Sequence, residues 1–343
     1  MNAKLDIQEA QETQAPRQLV ALRVAEARAL GTRALRNTGY TSEEIGIIVD
    51  HLIDADLCGY RGSGLAKILA ILDNPKAGDA HAAVTVVHET PSSAMLDGGN
   101  MVGYVPVFRA MQMGIDKARR QGLALTGVHN AFFSGRNAYY LEHIAKADLV
   151  GIHTCSTQPR VAPLGGKAAA LGTNPIAVGM PSSRGPVIFD IGTAAMRFGE
   201  TAIRKELGEQ MPEGVAIDSE GNPTRDPKAA LLGGLLPFGG HRGYVLSFAI
   251  QALGLLCGAT RPRGQVQDYG FLFLVIDPNI MLPVEQLKRE LSELVDKIRQ
   301  TPRAQGAEEI RVPSERAFRE RERRLREDRI EIGREVHRRL SAI

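Results

Sequence analysis

Residues 171–193 read LGTNPIAVGMPSSRGPVIFDIGT and contain two short apolar runs, 175–180 and 186–191, each bounded by polar turns rich in glycine and proline. Runs of this length and composition between such turns are typical of β-strands. No helical pattern lies between them. Two consecutive strands break the strict alternation of strand and helix in a doubly wound sheet, so a mixed α/β or α+β sheet is the better prediction.

The hydrophobic periodicity predicts the other elements on either side of this stretch. Further strands are predicted at 83–89, 123–129, 149–155 and 271–276. Further helices are predicted at 107–118, 136–147, 244–257 and 284–300. From Leu19 to Leu57 the apolar residues recur at helical spacing, which predicts helices, and a capping box from Thr41 to Glu44 opens the second of them. A third helix is expected to begin near Gly64. Residues 96–100 (LDGGN) are predicted to end in a turn.

Length and charge exclude several classes of protein. The chain has 343 residues, of which 43% are hydrophobic and 24% charged, and this is an ordinary globular composition long enough for two domains. Its net charge of +3 is too small to imply nucleic acid as a partner. The stretch rich in Arg and Glu after Pro313 is predicted to form solvated helices with i,i+4 ion pairs, because its glutamates cancel the field that an RNA-binding arm needs.

The cysteines and the apolar segments favour a cytoplasmic protein. Cys58, Cys155 and Cys257 are odd in number and lack a paired metal-ligand spacing, so reduced thiols are expected. Residues 1–16 lack the apolar core of a signal peptide and are predicted to be a flexible leader, and residues 246–259 are too short to cross a bilayer. No metal site is expected, because the eight histidines are scattered.

Several turns carry glycines at a density that suits close approach to a ligand. The chain has neither the G-x-G-x-x-G of a dinucleotide-binding strand–helix turn nor a P-loop. Glycine lets the backbone come near a ligand, and free amides at a helix start can hold an anionic group. Each turn taken singly could be an ordinary tight turn, but together they indicate a binding cleft. The turns are 162–166, 171–175, 189–193 and 237–243.

Long strings in the same regions resemble the type-2 malate/L-lactate dehydrogenase family, which includes ureidoglycolate, sulfolactate, diketogulonate and piperideine-2-carboxylate oxidoreductases. The resemblance runs from about Leu19 to the C-terminus. It implies binding of NAD or NADP without a Rossmann fold, and assembly as a homodimer. The strings are LGTNPIAVGMP, VIFDIGTAAMRFG, AIDSEGNPTRDP, LPFGGHRGYVLSFAIQALGLLCGA, DADLCGYRGSG, ETPSSAMLDGGN and VPSERA.

The resemblance also implies a domain division and a set of cofactor-binding residues. It implies a helical domain made from both chain ends (17–82 and 293–343) around a core domain (83–292) with a largely antiparallel mixed sheet. Arg242 stands where the family has a lysine, and Pro313-Ser314-Glu315 stands for its P-G-E. The cofactor candidates carried over are Thr157, Thr173, Asn174, Phe189, Ile191, Gly192, Thr193, His241, Arg242, Ser314 and Glu315.

The substrate side departs from the family pattern. The family's S-H-G triplet, whose histidine exchanges a proton with the substrate oxygen, is Gly62-Ser63-Gly64 here, and a second family histidine aligns with Phe133. The family arginine that holds the substrate carboxylate is Lys67. A well-placed proton donor contributes about 10²–10⁴ in rate, so both losses disfavour ketone reduction. An imine nitrogen can arrive already protonated, which shifts weight toward imine reduction.

Four side chains could take over tasks at the altered site. Asp190, His129 and His153 are candidates for a relocated acid; for each histidine a structural role is the better explanation, and Asp190 is the stronger candidate by its position. Arg136 could clamp a carboxylate or phosphate, or could be an exposed charge at a helix start.

The sequence therefore predicts an NAD(P)-dependent oxidoreductase that moves a hydride to or from C2 of a small 2-oxo, 2-hydroxy or 2-imino carboxylic acid. Lys67 would hold the carboxylate, Ser63 would bond the reacting group, and Asp190 would order cofactor or proton traffic. The alternative is a degenerate family member that binds a dinucleotide or an acidic metabolite without turnover.

Overall fold

The computed structural model describes residues 19–73, 81–259 and 269–343. The leader predicted at residues 1–16 lies outside these ranges. Within them, eleven α-helices and eleven strands are found, with short 3-10 turns at Arg61–Ser63 and Pro278–Ile280. The helices are α1 Val24–Leu35, α2 Ser42–Leu57, α3 Ala66–Leu72, α4 Tyr104–Gln121, α5 Asn137–Lys146, α6 Phe198–Leu207, α7 Pro227–Leu232, α8 His241–Leu256, α9 Val284–Arg299, α10 Glu315–Arg326 and α11 Arg334–Ser341.

A seven-stranded sheet forms the centre of the described molecule. Its strand order is β2-β3-β4-β10-β5-β6-β7, and every neighbouring pair is antiparallel except β3 with β4. This confirms the expected largely antiparallel mixed sheet. The strands are β1 Leu19–Leu22, β2 Thr85–Glu89, β3 Ser93–Val102, β4 Leu123–Phe132, β5 Val150–Ser156, β6 Ile176–Met180, β7 Val187–Ile191, β8 Ala216–Ile217, β9 Gly234–Leu235, β10 Gly270–Ile276 and β11 Ile330–Gly333.

The main core lies between one face of this sheet and helices α4 and α5. Phe271, Phe273 and Val275 alternate along β10 and are fully buried, as the period of two in a strand requires. Tyr104 on α4 and Tyr140 on α5 are also fully buried and belong to the same cluster. Helix α4 packs on β4, and helix α5 packs on β5, β6 and β7.

Two predictions of secondary structure are wrong. Leu19–Leu22 is a strand and not part of a helix, because it pairs antiparallel with β11 near the other end of the chain. Residues 96–100 do not end in a turn; they lie within strand β3, whose pairing with β4 has a bulge between Asp97 and Met101. For Leu19–Leu22, long-range pairing overrides the local pattern.

The remaining described elements lie around this sheet. Strands β8 and β9 pair with each other beside helices α6 and α7, and they enclose a second small core that includes Val161, Met196 and Met211. Helices α10 and α11 pack on α2 and α1 respectively. No helix in the described ranges has both the length and the apolar character to cross a membrane.

Candidate functional site

Three of the glycine-rich turns, 171–175, 189–193 and 237–243, are joined to one another and to Thr157 by a chain of hydrogen bonds. Thr157, after β5, accepts at Oγ1 from the Thr173 N–H at 3.0 Å. The carbonyl of Thr173 accepts from the Thr193 N–H at 2.9 Å, and the carbonyl of Thr193 accepts from the Phe238 N–H at 3.0 Å. The sequence predicted these three turns separately, and the structure brings them together. The fourth predicted turn, 162–166, is not part of this chain; its Ala162 N–H donates to the Leu235 carbonyl at 2.9 Å.

Asn174 fastens these turns to helix α8. Its side chain is fully buried and its Oδ1 accepts from the Thr157 N–H at 3.1 Å. Its amide nitrogen lies within hydrogen-bond distance of the Ser247 carbonyl (2.9 Å) and Gln251 Oε1 (3.0 Å), both on α8. Its φ of +33° is in the left-handed region that asparagine tolerates better than most residues. Asn174 therefore shapes the turn from inside and its side chain does not face solvent.

The N-terminus of α8 opens toward solvent beside these turns. Gly239 and Gly240 have positive φ, and a Cβ added to either would meet no atom within 4 Å. At the start of α8 the Arg242 and Gly243 N–H groups donate to the carbonyls of Gly239 (3.4 Å) and Phe238 (3.0 Å), so the group here that favours an anion is the Arg242 guanidinium. His241 and Arg242, the first two residues of α8, are exposed. This arrangement can hold a phosphate-bearing ligand.

The segment 189–193, one of these turns, presents alternating side chains. Phe189 and Ile191 are exposed, by 38% and 51%, while Thr193 is fully buried and its hydroxyl donates to the Thr173 carbonyl at 3.0 Å. A Cβ added to Gly192 would meet only the Thr173 carbonyl oxygen, at 3.5 Å. The backbone here is thus accessible to a ligand.

Asp190, in the middle of the same segment, binds the start of helix α5. Its Oδ2 accepts from the Ala138 N–H at 2.9 Å. Burial raises the pKa of this carboxyl, and the N–H groups of Ala138 and Asn137 and the charge of Arg136 oppose that rise. Asp190 is therefore both a helix cap and a carboxyl close to Arg136.

The altered substrate residues lie on one short segment that faces α6. Ser63 ends the 3-10 turn at Arg61–Ser63, and Lys67 lies in the first turn of α3. The Lys67 ammonium is 5.4 Å from the centre of the Phe133 ring. A Cβ added to Gly62 would lie 3.8 Å from Ile203, so this segment is close to α6.

Arg136 is buried, so it is not the exposed helix-start charge that one interpretation of the sequence proposed. Its guanidinium forms an ion pair with Asp54 on α2 and lies 5.6 Å from the centre of the Tyr60 ring. Arg321 on α10 also binds Asp54, at 2.9 Å, and reaches Glu142 at 2.6 Å. Burial by itself would raise the pKa of Asp54, but the two arginines hold it below its ordinary value.

The two histidines proposed as relocated acids lie in different surroundings. His153 is fully buried in β5, stacks on Phe273 at 3.9 Å, and its Nδ1 lies 2.9 Å from the Leu272 carbonyl oxygen. Burial lowers its pKa to about 4. His129 is half-buried in β4, with Nε2 3.7 Å from Asp97 Oδ2. The described contacts place neither histidine against Ser63 or Lys67.

Ser314 and Glu315 lie at the start of helix α10, and no described contact joins them to the hydrogen-bonded turns. Glu315 binds Arg299 of α9 at 3.0 Å and accepts from the Val312 N–H at 3.1 Å. Burial opposes the change, but this N–H and Arg319 lower the pKa of Glu315. Ser314 has a φ of +65°.

Sequence reasoning missed the buried groups that support the altered segment. Asp56 on α2 is fully buried, and His51 accepts at Nε2 from the Arg136 N–H at 2.9 Å. The string DADLCGYRGSG contains both Asp54 and Asp56, so acidic residues within an apolar helix face were the available signal. In the described ranges no three His, Cys, Asp or Glu side chains come together as a metal site.

Comparison with known proteins gives consistent matches. A sequence family described as malate/L-lactate dehydrogenase matches residues 22–341. The malate/(S)-sulfolactate dehydrogenase of Methanothermus fervidus is 35% identical over 302 residues, which are 85% of this chain and 88% of that protein. Both comparisons cover nearly the whole chain.

Solved structures agree with these sequence matches. Sulfolactate dehydrogenase from Methanocaldococcus jannaschii has a TM-score of 0.85 and 32% identity, with 94% of this chain and 95% of that chain covered. Delta1-piperideine-2-carboxylate reductase from Pseudomonas syringae pvar. tomato has a TM-score of 0.83 and 27% identity, covering 94% and 98%. The chain therefore belongs to the malate/L-lactate dehydrogenase family of oxidoreductases.

Proposed function

We propose that the protein is an NAD(P)-dependent oxidoreductase that transfers a hydride between the nicotinamide and C2 of a small 2-oxo, 2-hydroxy or 2-imino carboxylic acid. The observation that carries this proposal is the chain of hydrogen bonds through Thr157, Thr173, Thr193 and Phe238 beside the open start of α8. A second observation supports it: Lys67, on the segment with the altered substrate residues, makes no hydrogen bond or ion pair among the described residues.

The open backbone of these turns fits a dinucleotide. Gly192, Gly239 and Gly240 leave space where a side chain would stand. Arg242 at the start of α8 would bind phosphate, and Thr157, Thr173 and the segment 189–193 would contact the rest of the cofactor. When bound, the nicotinamide would supply or accept the hydride. Ser314 and Glu315 stay candidates from the family resemblance alone.

The substrate would lie between these turns and the segment 63–67. A carboxylate is a good partner for the Lys67 ammonium, since Lys67 is half-buried and faces only an aromatic ring. Ser63 would donate a hydrogen bond to the reacting group or accept one from it. Asp190, which is bound to the start of α5, would position the cofactor or the groups that transfer protons. Arg136 would act by fixing Asp54 and the start of α5, because its guanidinium is already engaged.

Imine reduction remains a variant of the same proposal. Ser63 and Phe133 stand where the family has histidines, so neither position supplies an imidazole. A protonated imine needs only a held carboxylate and a positioned hydride donor.

Titration with NADH and NADPH, followed by nicotinamide fluorescence, tests the proposal. We expect binding of at least one, weakened in Arg242→Gln because the charge at the start of α8 is lost. Arg289→Gln, an exposed arginine on α9, is the matched control and should bind as the wild type does. Failure of the wild type to bind either nucleotide contradicts the proposal.

The replaced histidines favour one other function, binding without turnover. In that case the protein would bind the cofactor but would reduce neither 2-oxo acids nor cyclic imines. A screen of pyruvate, oxaloacetate and Δ1-piperideine-2-carboxylate with both cofactors separates the two functions, since turnover of any of them excludes a pure sensor.

The proposal includes a cytoplasmic homodimer. Cys58, Cys155 and Cys257 are buried and free of disulfides, which fits a reducing compartment. Helix α8 exposes apolar side chains on its outer face, among them Phe248 (60% exposed) and Leu256 (61% exposed). A patch of this kind commonly marks a protein interface.

A further inference from the structure

We propose that Lys67 donates the proton to the C2 oxygen of a 2-oxo acid, and so performs the task of the absent histidines. The inference rests on the proposed function and names the substrate class of the same site. It assigns Lys67 a chemical role in addition to holding the carboxylate.

The first support is where Lys67 lies. The structure places its ammonium 5.4 Å from the centre of the ring of Phe133, the residue at the second histidine position. Ser63, at the first position, ends the 3-10 turn that precedes α3, four residues before Lys67. Five residues after Phe133, the Ala138 N–H donates to Asp190, so one short segment connects the surroundings of Lys67 to β7.

The second support is that Lys67 has donors to spare. An ammonium carries three N–H donors. Among the described residues Lys67 makes no hydrogen bond or ion pair, and the Phe133 ring face uses only its charge. By contrast, Arg136 and Arg61 are paired, with Asp54 and Glu331 respectively. All three N–H groups of Lys67 are therefore free to donate to a ligand, as far as the described residues are concerned.

The third support is the environment of the ammonium. Burial lowers the pKa of Lys67, and no neighbouring charge contributes to the change. A lysine with a lowered pKa is a better acid than an exposed one at neutral pH, as general acid catalysis requires. Phe133 provides this apolar surrounding, while the cation–π contact retains the charged form.

A 2-oxo acid has two oxygen acceptors that one ammonium group can bind together. The carboxylate oxygen and the C2 oxygen lie on adjacent carbons, so two N–H groups of Lys67 can bind both at once. When bound, a reduced nicotinamide would supply the hydride for the new C2–H bond, and the C=O π electrons would move to oxygen. That oxygen takes a proton from Nζ as the N–H bond breaks, and solvent then reprotonates the amine.

This arrangement predicts a preference among substrates. A 2-oxo acid offers two oxygen acceptors to the ammonium, whereas a protonated imine brings a second positive charge next to it. We therefore expect open-chain 2-oxo monocarboxylates to be reduced with Lys67 as donor. Imine reduction would need no proton from this residue.

Two variants of Lys67 separate holding from proton donation. Arginine keeps the charge but does not release a proton in proteins, so Lys67→Arg should keep KM for pyruvate within a few fold and lower kcat by about 10²–10⁴. Its kcat on Δ1-piperideine-2-carboxylate should fall less than tenfold. Lys67→Met should raise KM for both. Lys228→Met, an exposed lysine on α7, is the matched control.

A binding measurement gives a readout apart from turnover. Calorimetry with pyruvate should show affinity that falls as Lys67 loses its proton, at a pH below that of an ordinary lysine, and Lys67→Arg should abolish this pH dependence. Thermal melts of each variant verify folding.

The outcomes distinguish the inference from the proposed function. If Lys67→Arg reduces pyruvate at the wild-type rate, or loses pyruvate and imine turnover equally, Lys67 is not the proton donor, while the oxidoreductase proposal stands. If the wild type binds neither NADH nor NADPH, the proposed function fails and the proton-donor role fails with it.

Discussion

Asp56 and Leu65 connect helix α2 to the segment that carries Ser63 and Lys67. The Oδ2 atom of Asp56, on α2, accepts from the Leu65 N–H at 2.8 Å, just before α3 begins. Its Oδ1 is buried and has no hydrogen-bond partner among the described residues. A carboxyl from inside the core therefore fixes the backbone between Ser63 and Lys67.

We expect Asp56 to make the protein less stable as pH rises. Burial raises its pKa from 3.8 to about 7, so the folded protein binds this proton more tightly than the unfolded chain does. Its contribution is full below about pH 4 and is lost as pH rises through about 7, at most about 4 kcal/mol at about 1.4 kcal/mol per pKa unit. Urea unfolding of wild type and Asp56→Asn from pH 5 to 8 measures it. Asp56→Asn should gain relative stability with rising pH, and parallel curves would contradict the assignment.

The same contact predicts that position 64 accepts only glycine. A Cβ on Gly64 would overlap the Asp56 carboxyl group. By contrast, a Cβ on Gly46, which lies on α2 as Asp56 does, would meet nothing within 4 Å. We expect Gly64→Ala to cost about 1–3 kcal/mol as an overpacked core change does. Gly46→Ala should add up to about 1 kcal/mol, because alanine favours a helix. Chemical denaturation measures both, and equal effects would show that the contact does not constrain the chain.

Local signals were readable in the sequence and distant ones were not. The capping box at the start of α2 forms as predicted, with the Thr41 N–H donating to Glu44 at 2.9 Å, because all its atoms lie within one turn. Strand β1 was missed because its partner β11 lies more than three hundred residues away. Strands β8 and β9 have two residues each, too few for a periodic pattern.

The candidate site shows the same division. The turns at 171–175 and 189–193 were predicted from their glycine content. The hydrogen bonds between them join residues far apart in the sequence and could not be predicted from it. Arg136 was left between a clamp and an exposed charge because nothing local reveals Asp54, which lies on another helix. Lys67 and Phe133 were noted separately, and only the fold brings them together.

His153 should destabilise the protein in acid. Burial lowers its pKa from 6.5 to about 4, so the unfolded chain takes up the proton first as pH falls. Its contribution is full above about pH 6.5 and is lost toward pH 4, at most about 3 kcal/mol. His153→Gln should flatten the stability curve between pH 4.5 and 6.5, measured by urea midpoints. His88→Gln, at an exposed position on β2, is the control, and an unchanged slope in His153→Gln would count against a buried neutral imidazole.

Asp190 should show two separable effects. Asp190→Ala removes the acceptor for the Ala138 N–H and should cost about 1 kcal/mol, as a lost helix cap does. Asp190→Asn retains an oxygen acceptor, so its stability should stay within about 0.5 kcal/mol of the wild type. Thermal melts measure both. If Asp190 orders proton traffic, the Asn variant should still bind cofactor while kcat falls about 10²-fold or more; an unchanged kcat would leave Asp190 as a helix cap alone.

The outer face of α8 should carry the dimer contact. Val245, Phe248, Leu255 and Leu256 are each at least half exposed in the protomer and recur at helical spacing, so they share one face. A glutamate at the centre of such a face would bury an unpaired charge on association. Phe248→Glu should therefore shift the protein toward monomer in analytical ultracentrifugation. Leu232→Glu, which is 79% exposed on α7, is the matched control and should leave the assembly unchanged. A dimer of unaltered affinity in Phe248→Glu would place the contact on another surface, because a charge there could not be accommodated in a closely packed apolar interface.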